Sequence, residues 1–125
     1  MGAIMAALTV QPIVQTGLAV SYASAGGSGD TIAIADSNQR NFIIVKNTSG
    51  SPVTVTVTRQ NTTGRVAAEG NVTLFNLSVS VPATTGERLI GPLTNSFIDS
   101  SGNVNVSYSA TSSVTVAAIS LPALA

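Results

Sequence analysis

The residues able to do chemistry are few, and they are the wrong kinds for most of it. The 125-residue chain contains no histidine and no cysteine, which excludes the Ser-His and Cys-His pairs of nucleophilic catalysis. Its acids are Asp30, Asp36, Glu69, Glu87 and Asp99. Glycoside hydrolysis needs two carboxylates facing across a cleft, but these acids are scattered and have plainer settings. Asp30, Asp36 and Asp99 stand beside Gly, Ser or Asn, where an Asx side chain bonds the turn backbone. Glu87 adjoins Arg88 at the start of a strand, and reads as a surface charge or an inter-subunit contact. Asp99-Ser100-Ser101-Gly102-Asn103 offers oxygen ligands for calcium, but lacks the spacing and closing Glu of an EF-hand loop. Gly26, Gly27 and Gly29 are not followed by the Lys-Ser/Thr and helix of a phosphate loop. The expectation is no enzyme, no metal and no cofactor.

Binding chemistry is equally sparse. Arg40, Lys46, Arg59, Arg65 and Arg88 balance the five acids. Without a basic cluster the chain lacks the footprint of a nucleic-acid binder and the attraction to anionic lipid. No run reaches the roughly 18 apolar residues of a membrane-spanning helix. The apolar Met1–Leu8 start has no Lys or Arg near it, since Arg40 is the first, which argues against a secretory leader. Five glycosylation sequons, at Asn47, Asn61, Asn71, Asn76 and Asn105, are expected by chance in so Asn-, Ser- and Thr-rich a chain. Tyr22, Tyr108, Phe42, Phe75 and Phe97 are too dispersed for a stacking platform, and the Phe residues read as core.

Charged residues make up 8% of the chain, where about 25% is usual. With 44% hydrophobic residues as well, this composition predicts that a partner covers part of the surface. One domain is the natural count at this length.

The elements that would carry such a surface are strands. Asn41–Thr58 reads as a hairpin. Phe42, Ile43, Ile44 and Val45 are apolar on both parities, as in a strand with two covered faces. Thr48–Ser51 gives the turn, and Val53, Val55 and Val57 then alternate with threonines. Thr31–Ala35, Asn71–Val81, Glu87–Pro92 and Asn103–Ser109 read as further strands, Asn95–Ile98 as a short strand or 3₁₀ segment. In the last strand Val114, Val116 and Ala118 share a face while Ile119 and Leu121 take the opposite parity, predicting a bulge or burial on both sides. Turns are expected at Asp36–Gln39 and Asn61–Gly64, a loop at Ala67–Gly70, and an apolar tail at Ala123–Ala125.

These patterns predict an all-β protein: an antiparallel β-sandwich, jelly-roll or Ig-like, of about seven to nine short strands with an extended N-terminal arm. Residues 1–29 form the arm or edge strand with a Gly-rich hinge, and residues 30–125 the sandwich. Pro12 suits an edge position. The segment carrying Leu8, Val10, Pro12, Ile13, Val14 and Leu18 could embrace a neighbouring subunit, or be the first strand of the sandwich. The turn with Asn47, Ser49 and Gly50 is a candidate tip that contacts another subunit or points outward.

Three phrases carry a resemblance: Arg40–Val57 (RNFIIVKNTSGSPVTVTV), Ser80–Leu93 (SVPATTGERLIGPL) and Gly102–Ile119 (GNVNVSYSATSSVTVAAI). Together with Gly29-Asp30-Thr31, Thr9–Pro12 and Gly17-Leu18, the chain resembles small capsid decoration, or cement, proteins of tailed bacteriophages. The Asn- and Thr-rich stretch Arg59–Asn76 departs from that pattern. The resemblance implies a virion protein on the outer capsid surface, made in the host cytoplasm. It implies binding to major capsid protein, as a homo-oligomer (dimer or trimer), to stabilise the head. The alternatives are a phage tail, neck or fibre structural protein, or a carbohydrate-binding adhesive sandwich.

Overall fold

The computed structural model describes residues 6–34, 40–60, 63–66, 70–73 and 75–121. The turn expected at Asp36–Gln39, the acids Asp36 and Glu69, the sequon residue Asn61, most of the loop at 67–70 and the tail at 123–125 lie outside them.

Alternation of valine with threonine or serine produces strands almost throughout. In chain order they are β1 (Ala6–Leu8), β2 (Val10–Pro12), β3 (Ala23–Ser24), β4 (Asp30–Ala33), β5 (Arg40–Asn47) and β6 (Val53–Val57). There follow β7 (Thr63–Val66), β8 (Gly70–Thr73), β9 (Leu77–Val81), β10 (Gly86–Ile90), β11 (Asn103–Tyr108) and β12 (Val114–Leu121). A 3₁₀ turn spans Asn95–Phe97, and there is no α-helix among the described residues.

The strands build two five-stranded sheets. The first runs β1-β4-β11-β6-β9. In the second, β10-β5-β12, the far edge of β12 is shared by β2 and β3. The sheets enclose one core. Ile32, Val55, Val57, Val104 and Val106 point inward from the first, and Ile43, Val45, Val114 and Val116 from the second. Each is almost wholly removed from water, at roughly 1.5–3 kcal/mol of transfer free energy for a fully buried Val or Ile.

Two features depart from the antiparallel sandwich of seven to nine strands. First, ten strands fill the two sheets, because residues 6–24 supply three short edge strands where one arm was expected. Second, two pairings are parallel, β1 with β4 and β2 with β12. The chain passes from an edge of one sheet to an edge of the other at Thr9 without reversing direction, which makes both new pairings parallel to strands already set. The strand expected over Asn71–Val81 is also broken. β8 ends at Thr73 and pairs with β7 in a separate hairpin, while β9 begins at Leu77. Phe75 falls in the break and is 76% exposed, so it is not a core residue.

On the opposite side, β9 and β10 form a second corner between the sheets through residues 82–85. This corner is tight. A Cβ on Gly86 would lie 1.8 Å from the Pro82 carbonyl oxygen, so only glycine fits. Thr84 there takes a left-handed φ of 71°, an unfavourable conformation for a β-branched residue. Its N–H donates to the Ser49 carbonyl at 2.8 Å, tying the corner to the β5–β6 turn.

Candidate interaction face

The two outer faces of the sandwich are chemically opposite. On the first sheet Thr56 stands between Ser107 and Ser78, and Thr54 opposite Ser80. These are short, uncharged and hydroxylated side chains. On the second sheet the row Leu89–Ile44–Ala117 is apolar, and Phe42 stands opposite Ile119. Arg40 and Leu121 close that face at one end, with Glu87, Lys46 and Thr115 at the other.

The N-terminal segment lies over part of this apolar face. The Tyr22 ring sits over Lys46, with Nζ 4.3 Å from its centroid. The Gln11 side chain locks the segment by pairing twice with the Ser21 backbone: Nε2 donates to the carbonyl at 2.8 Å and Oε1 accepts from the N–H at 2.9 Å. Ala117, which lines a pocket with Gln11, Ser21 and Tyr22, is buried, as is Ile119, although neither belongs to the central core. Where β12 carries apolar residues on both parities, burial on both sides is therefore the outcome.

The β5–β10 side of the face is open. Leu89 is 62% and Leu121 44% exposed. With Phe42, Gly91, Pro92 and Arg40 they line a shallow groove of about 260 Å³. Gly91 is required here, because a Cβ would lie 2.5 Å from that of Phe42. A Lys46–Glu87 ion pair at 3.6 Å borders the groove. Arg40 and Arg88 have no acidic partner among the described residues; Arg88 Nη1 donates to the Glu87 carbonyl.

The contact residues expected from the sequence are placed as follows. Leu8 is buried in the core, Val10 and Leu18 are half-buried, and Pro12, Ile13 and Val14 are exposed. Ile13 continues the β2 ladder, its N–H donating to the Ser120 carbonyl at 2.9 Å. Asn47 is not an exposed tip, because its side chain is spent inside the fold. Nδ2 donates to the carbonyls of Ser51, Val81 and Pro82 at 2.8, 3.2 and 3.1 Å. Oδ1 accepts from the Ser49 N–H and hydroxyl at 2.9 and 2.6 Å. Gly50 is exposed and Ser49 half-buried. Phe42, Leu89 and Leu121 are not among the contacts expected from the sequence. Their signal is apolar residues on both parities of β5 and β12, which does not say which stretch lacks a cover.

The acids separate into two kinds. Asp99 holds a turn as expected: Oδ1 accepts from the N–H groups of Ser101 and Asn103, and Oδ2 from the Asn105 amide. The Asn103 N–H foremost, then the Asn105 amide, lower the Asp99 pKa below the usual carboxylate value. Asp30 is no surface turn residue, although its Oδ2 does accept from the Gly26 N–H at 3.2 Å. It is fully buried in β4, facing the core. The Tyr108 hydroxyl donates to the same oxygen at 2.6 Å, and Oδ1 has no partner. Burial, then the hydrogen bond and charge of Asp30, push the Tyr108 phenol well above its ordinary range. The described residues contain no cluster of three or more metal-ligating acids. The chain matches no family model, no curated protein and no solved structure.

Proposed function

We propose that the chain is a structural virion protein that decorates a bacteriophage capsid, binding the major capsid protein and bracing the assembled head. The observation that carries this reading is the two-faced sandwich. One outer face is a sheet of hydroxyls suited to water. The other leaves Leu89 and Leu121 open around a half-buried Phe42, beside Arg40, which has no acidic partner among the described residues. An apolar strip of this kind suits docking against a protein surface.

The resembling phrases support the same reading by where they fall. Arg40–Val57 is β5, its turn and β6; Ser80–Leu93 holds the β9–β10 corner; Gly102–Ile119 is β11 and most of β12. The first two frame the open strip. Low charge serves a lattice protein, since many weak apolar contacts repeated over a shell give avidity without a deep pocket. The self-association expected of such proteins, as a dimer or trimer, belongs to the same proposal.

The test is sedimentation of the purified chain with heads assembled without it from the shell gene of the same genome. Saturable binding at a fixed ratio per shell subunit is the expected result. Failure to co-sediment, or absence from purified particles, would sink the reading. Location on a tail, neck or fibre in negatively stained particles would replace it with the alternative virion role.

A further inference from the structure

The open strip is bounded by something a flat docking surface does not need. β10 is the end strand of its sheet, paired with β5 on one side only among the described residues. Its three middle residues, Glu87, Arg88 and Leu89, are all exposed. An edge strand presents backbone N–H and C=O groups on its outer side, and proteins ordinarily protect such an edge with charge, a bulge or a cover; on β10 the Glu87 carbonyl already accepts from Arg88 Nη1. Glu87 and Arg88 place charge on this edge, but toward its end it continues directly into the Leu89–Phe42–Leu121 strip, with Gly91 and Pro92 beside it.

The charges beside this edge are not balanced. Glu87 is engaged with Lys46, while Arg40 and Arg88 lack an acidic partner among the described residues. The neighbourhood is therefore net positive in a chain whose overall charge is zero. A second copy of the chain paired edge to edge through β10 would set the same face of each copy side by side. A two-fold pairing centred on Arg88 would bring two arginines together, and like charges directly opposite are unfavourable. The uncompensated Arg40 and Arg88 favour an occupant that carries acidic groups.

We propose that β10 accepts an extended, acidic and apolar segment of the shell protein as an additional strand. The main chain of that segment continues the ladder beyond β10. An apolar side chain of the segment fills the groove over Leu89 and Phe42, and a carboxylate meets Arg40 or Arg88. Strand addition takes affinity from main-chain hydrogen bonds and specificity from alternate side chains entering pockets, and both components are present at this edge. The inference rests on the decoration reading and adds to it the site and the chemistry of the partner segment.

The experiment uses the full chain and heads assembled without it, with two readouts. Hydrogen exchange on the particle should show new protection of the Gly86–Ile90 amides. Leu89→Asp and Arg40→Glu should each weaken co-sedimentation by about tenfold or more, as loss of a central contact does. Ser78→Asp, on the hydroxylated face, should bind as the unaltered chain does. Both Leu89 and Arg40 are exposed, so the variants should keep the β-type circular dichroism and melting of the parent. If the parent binds heads but β10 exchanges as in the free chain, the strand-addition proposal is overturned and decoration stands. Strand addition is overturned equally if neither variant weakens binding. If the parent does not bind heads at all, both ideas fall together.

Discussion

Replacing Asn47 tests how the two ends of this sandwich are joined. Its side chain sits at 0% exposure at the end of β5. It bonds the Ser51 carbonyl within its own turn and the Val81 and Pro82 carbonyls at the β9–β10 corner. Two amide protons are thus shared among three acceptors, and Oδ1 serves the Ser49 N–H and hydroxyl. Asn47→Ala strips the buried Val81 carbonyl of its side-chain donor and the Ser49 N–H and hydroxyl of their acceptor, a loss of about 1–3 kcal/mol. The Ser51 and Pro82 carbonyls are closer to solvent and can hydrate, so they add less. A total near 3 kcal/mol is a large part of the roughly 5–15 kcal/mol of a typical domain. At about 4 °C per kcal/mol for this size, the melting temperature should fall by about 12 °C. Asn47→Asp should do at least as much harm at neutral pH, because a carboxylate cannot donate and would face three carbonyl oxygens. Urea denaturation followed by far-ultraviolet circular dichroism gives the free energies, and a cycle with Ser49→Ala isolates the Oδ1 contribution. An Asn47→Ala change within about 0.5 kcal/mol of the parent, the range of an ordinary surface substitution, would refute the argument.

Other expected outcomes concern the core and its edges. Tyr108→Phe removes a hydrogen bond to the buried Asp30 carboxylate and should cost about 1.5–3 kcal/mol by denaturant titration. The parent should also lose stability as pH rises above about 10, because the unfolded phenol ionises there while the folded one, with its raised pKa, keeps its proton. Tyr108→Phe should flatten that alkaline slope; an unchanged slope would assign it to other groups. Val55→Asp puts an unpaired charge at a fully buried position and should destabilise by several kcal/mol, roughly 3 or more, with an unaltered melting temperature as the contrary result. Removing residues 1–12 strips the β1 and β2 ladders and the buried Leu8, so it should lower the melting temperature and speed amide exchange in β4 and β12. Unchanged melting would mean that this segment is an appendage.

The sequence alone determined the class of the fold and the face of most strands. Alternation in Val53–Val57 and Asn103–Tyr108 placed the valines inward with no tertiary information, because side-chain direction in a strand has a period of two. It also showed the turn role of Asp99, since a short acidic side chain beside Ser and Gly finds its partners within a few residues. Other features depended on residues distant in the chain, and local pattern could not reach them. Asp30 has the sequence setting of a turn residue, and only its pairing with β11 carries it into the core beneath Tyr108. Asn47 has the setting of a loop tip, and only the approach of the β9–β10 corner, 34 residues away, buries it. The apolar residues on both parities of β5 and β12 are plain in the sequence. Which of them are covered is decided by what packs on them: the N-terminal segment sets Tyr22 against Lys46 beside the buried Ala117, while Leu89 and the β12 end residue Leu121 stay exposed. Burial is a property of what packs on a face, and hydrophobicity alone states only that the face needs a cover.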